Sequence, residues 1–245
     1  MSMRVDQPHV ATADKPLSAP SDGDLNVNLI PTFGRLTTVV FALVVYITAS
    51  ASPTRAHPHS WIDLRSTVVL DAAGRVTAIE QQWFFDPLYT VFATDGFNTA
   101  TDSQTAALTA LAKTNLDNLR AHDYFTEVRV GGLKAALGTV SEFESELREG
   151  RLWMRFVVPL REPTDPTRGK IVFAIFDPTY YAEILHLRED VIAFRGAPAG
   201  SCHGEIVPPN PTTEAILLAR AMDRDATPDT SLGKVFAERV KITCR

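Results

Sequence analysis

From Trp61 to Leu70 the chain alternates apolar and polar positions, with Ile62, Leu64, Thr67, Val68 and Val69 marking a strand rich in β-branched residues. Asp71-Ala72-Ala73-Gly74 has turn composition, and Arg75 to Phe85 reads as the hairpin partner, through Val76, Ala78, Gln81 and Trp83. The period then changes. Thr101-Asp102-Ser103-Gln104 has the form of a capping box, with Thr101 as N-cap and Gln104 three residues on. Leu108, Leu111, Ala112, Leu116 and Leu119 fall on one stripe of the helical wheel, which predicts a core-facing helix ending near Ala121 to Tyr124.

Beyond this helix the β pattern returns. Phe125 to Val130, Gly138 to Leu147, Arg151 to Leu160, Lys170 to Phe176 and Asp190 to Arg195 read as strands between Gly or Pro clusters, with Glu149-Gly150 as a hairpin turn. Thr212 to Met222 predicts a short helix through Ala215, Ile216, Leu218 and Ala219. Val235 to Cys244 fits either a last strand or a helix running into one. Strands cluster and regular βαβ alternation is absent, so the expected class is α+β: mainly antiparallel β-sheets, sandwich-like, with one long helix and one or two short ones.

Upstream the pattern is of another kind. The apolar run Leu36 to Ile47 follows Arg35 and precedes Thr48-Ala49-Ser50-Ala51-Ser52, the charged, apolar, small-residue order of a secretory signal. Twelve residues are too few to span a bilayer, which needs about 20. The expected organisation is a disordered leader or mis-called start over 1–34, a signal peptide over 35–56 and one exported α+β domain over 57–245. That domain is read as one piece or as two subdomains, about 57–130 and 131–245. Two cleavage points fit: after Ala51, which matches the small-x-small rule, and after Ala56, which would expose His57-Pro58-His59 as a new N-terminus.

Charge narrows the partners. The whole chain carries a net charge of −5, and residues 1–56 hold four cations and four acids, so the exported part keeps the full acidic excess. No basic face is evident, which argues against nucleic acid. The two cysteines, Cys202 and Cys244, both lie late in the exported part. In an oxidising compartment such a pair forms one disulfide, closing a loop worth on the order of 4 kcal/mol; the rival is a thiolate metal site built from Cys202, His203 and Cys244.

His57-Pro58-His59 carries the clearest chemistry. Imidazole suits Zn, Cu and Ni. Proline at the second position lacks the amide N–H that an N-terminal tripeptide chelate deprotonates, so the histidines must recruit the terminal amine or a residue of the folded body. A bland alternative is an incidental histidine pair in a linker. Phe85-Asp86-Pro87-Leu88-Tyr89 and Phe176-Asp177-Pro178-Thr179-Tyr180 share a Phe-Asp-Pro-x-Tyr pattern, each after an apolar strand. An Asp-Pro step starts a turn; alternatively Asp86 or Asp177 lends the histidines a carboxylate. The recurrence also hints at an internal duplication. His122 suits a helix C-terminus, while His186 and His203 read as structural or exposed. The Asp95 to Asp102 segment lacks the EF-hand calcium spacing. No Ser-His-Asp signature, phosphate loop or dinucleotide fingerprint is present.

His57-Pro58-His59-x-Trp61-Ile62-Asp63 after a signal resembles the opening of an exported bacterial family, domain-of-unknown-function family 1007, labelled the periplasmic component of an uncharacterised ABC-type transport system. The resemblance runs on through Trp83-x-Phe85-Asp86, Tyr124-Phe125-Thr126, Phe176 to Tyr181 and the late cysteines. It implies a periplasmic protein associated with zinc or nickel/cobalt transport, working with a membrane permease. His57, His59 and Asp86 stand at motif positions, Asp177 and Tyr180 more loosely; Ser60 replaces a commonly apolar residue.

The resulting expectation is a non-enzymatic, transition-metal-binding accessory protein whose metal ligands are His57, His59, Asp86 and Asp177, holding Zn or Ni/Co. Affinity should fall as pH drops through about 6.5, since ligating imidazoles must be deprotonated. Two rivals stand beside it: a non-catalytic envelope interaction module, and a copper redox protein with an N-terminal histidine brace, which requires the cut after Ala56.

Overall fold

A computed structural model of the 245-residue chain describes residues 58–97, 101–187, 192–198, 200–221 and 232–245. All of these lie in one compact unit spanning Thr54–Arg245. The expected leader, signal peptide and His57 lie outside the described residues. Among the described residues no helix is long and apolar enough to cross a membrane.

Strand β1 (Ser60–Leu70) buries every second residue, from Ser60 and Ile62 to Val68 and Leu70, as its alternation dictates. It pairs antiparallel with β2 (Val76–Phe85) across the Asp71–Gly74 turn, where Asp71 Oδ1 accepts the N–H groups of Ala73 and Arg75 at 3.0 and 2.9 Å. A short helix α1 (Pro87–Ala93) follows, and then the long helix α2 (Thr101–Leu119). Leu108, Ala112 and Leu116 are buried in the core, the predicted stripe. Of the expected capping box, the Thr101 side chain lies outside the described residues. The α-helix stops at Leu119, and a 3₁₀ turn (Arg120–Phe125) carries the chain on, with Asp123 and Tyr124 at φ of 53° and 54°.

The remaining strands are β3 (Thr126–Val130), β4 (Leu133–Lys134), β5 (Phe143–Arg148), β6 (Arg151–Thr164), β7 (Ile171–Ile175), β8 (Ala182–His186), β9 (Ala193–Arg195), β10 (Cys202–Val207) and β11 (Arg239–Cys244). Helices α3 (Thr213–Ala221) and α4 (Leu232–Val235) lie between the last two. One sheet runs β5-β6-β2-β1-β8, with β9 also on β1; the other runs β10-β11-β7-β3-β4. Every pairing is antiparallel except those of β8 and β9 with β1. The fold is therefore α+β with two mainly antiparallel sheets, as the pattern of short strands predicts.

Both sheets contribute to one core, including Leu64, Val68, Ile79, Trp83 and Phe156 from the first and Val128, Phe173 and Val240 from the second. A buried polar link crosses it. Gln81 Nε2 of β2 donates to Thr126 Oγ1 of β3 at 2.6 Å, and Trp83 Nε1 donates to Gln81 Oε1 at 2.9 Å. Buried amides are tolerated when satisfied in this way.

Several expected boundaries shift for local reasons. The Gly138 to Leu147 strand begins only at Phe143, although Gly138 N–H donates to the Pro159 carbonyl at 2.7 Å. Pro159 has no N–H to return to Gly138, so the pairing there is reduced to isolated contacts, a Leu137–Leu160 bridge and an Arg161 N–H bond to the Ala136 carbonyl at 2.9 Å. Glu149-Gly150 is the predicted turn, both residues at positive φ (51° and 74°) between β5 and β6, the geometry that matches hairpin twist. The ambiguous tail resolves into helix α4 followed by strand β11. Cys202 faces Cys244 across β10 and β11, and their sulfurs are bonded. This excludes the thiolate metal site.

Candidate functional site

The two Phe-Asp-Pro segments meet at the start of β1. Asp86 ends β2 and caps α1: its backbone is extended (φ −63°, ψ 158°), Pro87 follows, and Oδ1 accepts the Tyr89 N–H at 2.8 Å. Its other oxygen, Oδ2, accepts the Ser60 hydroxyl and the Trp61 N–H, both at 3.0 Å. Burial alone would raise the Asp86 pKa; the Tyr89 and Trp61 N–H groups and the Ser60 hydroxyl outweigh it and hold the carboxyl below its ordinary range.

Asp177 does a matching job on the neighbouring strand. Its Oδ1 accepts the Thr179 N–H and hydroxyl at 2.9 and 2.8 Å, and Oδ2 accepts the Ala182 N–H at 3.0 Å. Ser60 pairs with Ala182 in the sheet, so each aspartate pins the first residue or two of one of two adjacent parallel strands. The expectation of turn-forming aspartates holds at both places.

The two segments differ after the proline. The first continues as helix α1 and the second as a turn, with Tyr180 at φ 59°. Tyr89 stacks on Phe85, with ring centroids 4.8 Å apart. Tyr180 instead stacks on Phe236 at 4.2 Å, and its hydroxyl donates to Glu183 at 3.0 Å. Tyr181, one residue later, occupies the side that Tyr89 faces. Local likeness without a shared continuation gives no support to a duplication.

His59 sits directly before β1. Its N–H donates to the Tyr181 carbonyl at 2.8 Å, and its ring lies 5.0 Å from that of Tyr181. With Leu88, Tyr89, Phe92 and Tyr181 it borders a depression of about 390 Å³. Adjoining it is a cavity of about 240 Å³ lined in part by Trp83, Phe85, Phe125 and Met154, with Ser60, Tyr89 and Tyr181 lining both spaces. The sequence reading missed this cavity. The Tyr180-Tyr181 doublet and the aromatics at alternate positions of β2 were the available signal.

The donor set for a metal is incomplete within the described residues. No group of three or more His, Cys, Asp or Glu side chains stands close enough there to hold an ion. His59 supplies one imidazole, and both aspartates are engaged by backbone and hydroxyl donors. A full set requires His57 or the terminal amine that cleavage would create, and both fall outside the described residues.

The other histidines are placed elsewhere. His122 and His203 are exposed. His186 is buried (8% exposed): its Nε2 lies 2.9 Å from Ser66 Oγ and its Nδ1 2.9 Å from Glu238 Oε2. That order resembles a hydrolytic triad, but Ser66 is 5% exposed in mid-strand and lines none of the cavities described. A nucleophile needs a space beside it for the reacting atom. The three residues instead tie β1, β8 and the approach to β11.

Relatives match the chain over long spans. An uncharacterized protein of Haemophilus influenzae is 23% identical over 191 residues, covering 77% of this chain and 91% of that protein. An uncharacterized 15.5 kDa protein in the trpE 3′ region of Spirochaeta aurantia is 28% identical over 93 residues, 38% of this chain and 66% of its own length. No solved structure matches the chain. Residues 41–244 match the family described as "Protein of unknown function (DUF1007)", and the chain belongs to that family.

Proposed function

We propose that this is an exported, periplasmic accessory protein that binds a transition metal, Zn or Ni/Co, for a membrane transport system. The observation that carries the reading is the fixed position of His59. Its backbone is bonded to Tyr181 at the border of the outer depression, two residues from His57 and next to Ser60, which Asp86 holds. His57 and His59 are the proposed ligands. Asp86 and Asp177 set the strand ends on which His59 rests, and Asp86, bonded to the adjoining Ser60, is the candidate for a third ligand. No catalytic step is assigned.

The test is metal analysis and intact mass of the exported protein, followed by Zn, Ni, Co and Cu titration. The His57→Ala, His59→Ala double variant should lose at least tenfold in affinity. Unchanged affinity would overturn the proposal. A mature N-terminus at Ser52 would remove the copper-brace alternative, because the terminal amine would then be five residues from His57.

A second reading, a non-catalytic envelope interaction module, rests on Trp61, Leu88, Val91 and Phe92. These large apolar side chains are exposed at the same end of β1 and on α1. Pull-down from envelope extracts that depends on Leu88 and Phe92, with metal affinity unaffected by the histidine changes, would favour it.

A further inference from the structure

The cavity lined by Tyr89 and Tyr181 is walled mainly by aromatic and aliphatic side chains, with the neutral polar groups of Ser60, Asn115 and Asn118 among them. Trp83, Phe85, Tyr89, Phe125 and Tyr181 line it, together with the carboxylate-bearing Asp177. Among the described residues no Lys or Arg is on its wall, and Asp177 is the charged one. Asp177 is 6% exposed, and its bonds come from two backbone N–H groups and one hydroxyl. Among the described residues it has no cationic partner. Buried carboxylates are ordinarily paired with a positive charge, because burial is costly for an unpaired one. Here the space beside it is aromatic.

Aromatic rings present a negative face, and a desolvated organic cation gains from each ring it meets. An anion would meet the Asp177 charge and no compensating cation. A primary ammonium brings three N–H donors that each need an acceptor, and beside the engaged Asp177 the wall offers only neutral hydroxyl and amide oxygens; a quaternary ammonium has no N–H to satisfy. The cavity volume, about 240 Å³, lies below the ~300–1,000 Å³ of sites for drug-sized ligands, so the occupant is small.

From this combination we propose that the cavity binds a small quaternary ammonium ion, its head enclosed by the five aromatic side chains and its charge balanced by Asp177. Tyr181 is partly exposed and lines both the cavity and the outer depression. It is the side chain past which a ligand enters. The site shares Asp177 with the metal-ligand set expected from the sequence but requires no metal, and titration with EDTA present separates the two readings.

Calorimetric titration of the exported protein, with EDTA present to remove any metal, tests this. The probes are tetramethylammonium, choline and 3,3-dimethylbutan-1-ol, the uncharged carbon isostere of choline. Choline and tetramethylammonium should bind one per chain, at least tenfold more tightly than the isostere. Tyr181→Leu and Phe125→Leu should each weaken choline binding at least fivefold with the circular dichroism spectrum retained. Phosphatidylcholine vesicles in place of choline distinguish a lipid headgroup from a free ion, and binding of either class supports the site. Equal affinity for the isostere, absence of binding by every ammonium probe, or full choline affinity in both variants would overturn it.

Discussion

Asp86 Oδ2 accepts the backbone N–H of Trp61 at 3.0 Å, and the Asp86 N–H donates back to the Trp61 carbonyl at 2.9 Å. The two residues are 25 positions apart, so one side chain closes the open end of the β1–β2 hairpin. The same carboxylate caps α1 through Tyr89. Turn, cap and strand end therefore depend on one residue, and His59 stands beside it.

Replacing Asp86 by Ala removes the cap and the bonds to Ser60 and Trp61 together. A helix cap contributes about 1 kcal/mol, and hydrogen bonds to a charged acceptor about 1.5–3 kcal/mol each in favourable cases. Partial exposure at this site and water replacement reduce the sum, so a loss of about 2–3 kcal/mol is expected. Urea unfolding measures it; a loss below about 0.5 kcal/mol would show that the bonds are replaced by water without cost.

Glu80 gives the protein an acid-sensitive link. It is 4% exposed in β2, and its Oε2 accepts from Arg155 and Arg195, each at 2.6 Å. Burial alone would raise its pKa; the two guanidinium groups outweigh that and lower it below the 4.5 of a free glutamate. The folded state thus holds its proton less tightly than the unfolded chain. The stabilisation is complete above about pH 4.5 and is lost as pH falls through the lower, folded value. Glu80→Gln should cost about 2–4 kcal/mol at pH 7, below the ~3–5 kcal/mol of a fully buried pair because Arg195 is half exposed. It should also flatten the decline in urea midpoint between pH 5 and 3, and a decline as steep as in the parent would refute the assignment.

Gly233 shows why a small residue is required far from any turn signal. A Cβ built there would lie 1.7 Å from the Asp177 carbonyl oxygen, and the Gly233 N–H donates to the Pro178 carbonyl at 3.0 Å. Helix α4 thus sits against the turn that positions Asp177. Gly233→Ala must push backbone from backbone, and overpacking of this kind costs about 1–3 kcal/mol or more. Thermal melting should show the loss, and if the turn moves outward, choline binding should weaken with it. An unchanged melting temperature would mean that α4 shifts freely.

The legible parts of this chain were those set by local period and turn chemistry. Alternation along β1, the stripe from Leu108 to Leu116 and the Glu149-Gly150 turn each follow from neighbouring residues alone. The paired cysteines were legible through compartment chemistry. Strands β8 and β10 were not: Ala182 to His186 is short, flanked by a tight turn, and held by parallel pairing with a strand more than 100 positions earlier. Pro159 acted against a strand by a missing N–H that only the partner's register reveals. At the site, both Asp-Pro steps could be read as turns, but their convergence on Ser60 and Ala182 depends on sheet order. The cavity needed residues from β1, β2, α1, α2, β6 and β8 at once, and no local pattern encodes such a meeting.

Cys202 and Cys244 occupy opposed positions of β10 and β11, and Arg245 N–H donates to the Ser201 carbonyl at 2.9 Å just beyond them. The bond closes a separation of 42 residues, which in the chain-entropy model removes about 4 kcal/mol of unfolded-state freedom. It encloses α3, α4 and the Gly233 contact with Asp177. Replacing both cysteines by Ser should therefore lower stability by about 2–4 kcal/mol, the lower end reflecting the hydrogen bonds that β10 and β11 retain. Reductant should shift the unfolding midpoint of the parent by the same amount and leave the double variant unmoved. A parent insensitive to reductant, with the thiols shown to be free by mass, would mean that strand pairing alone holds the tail.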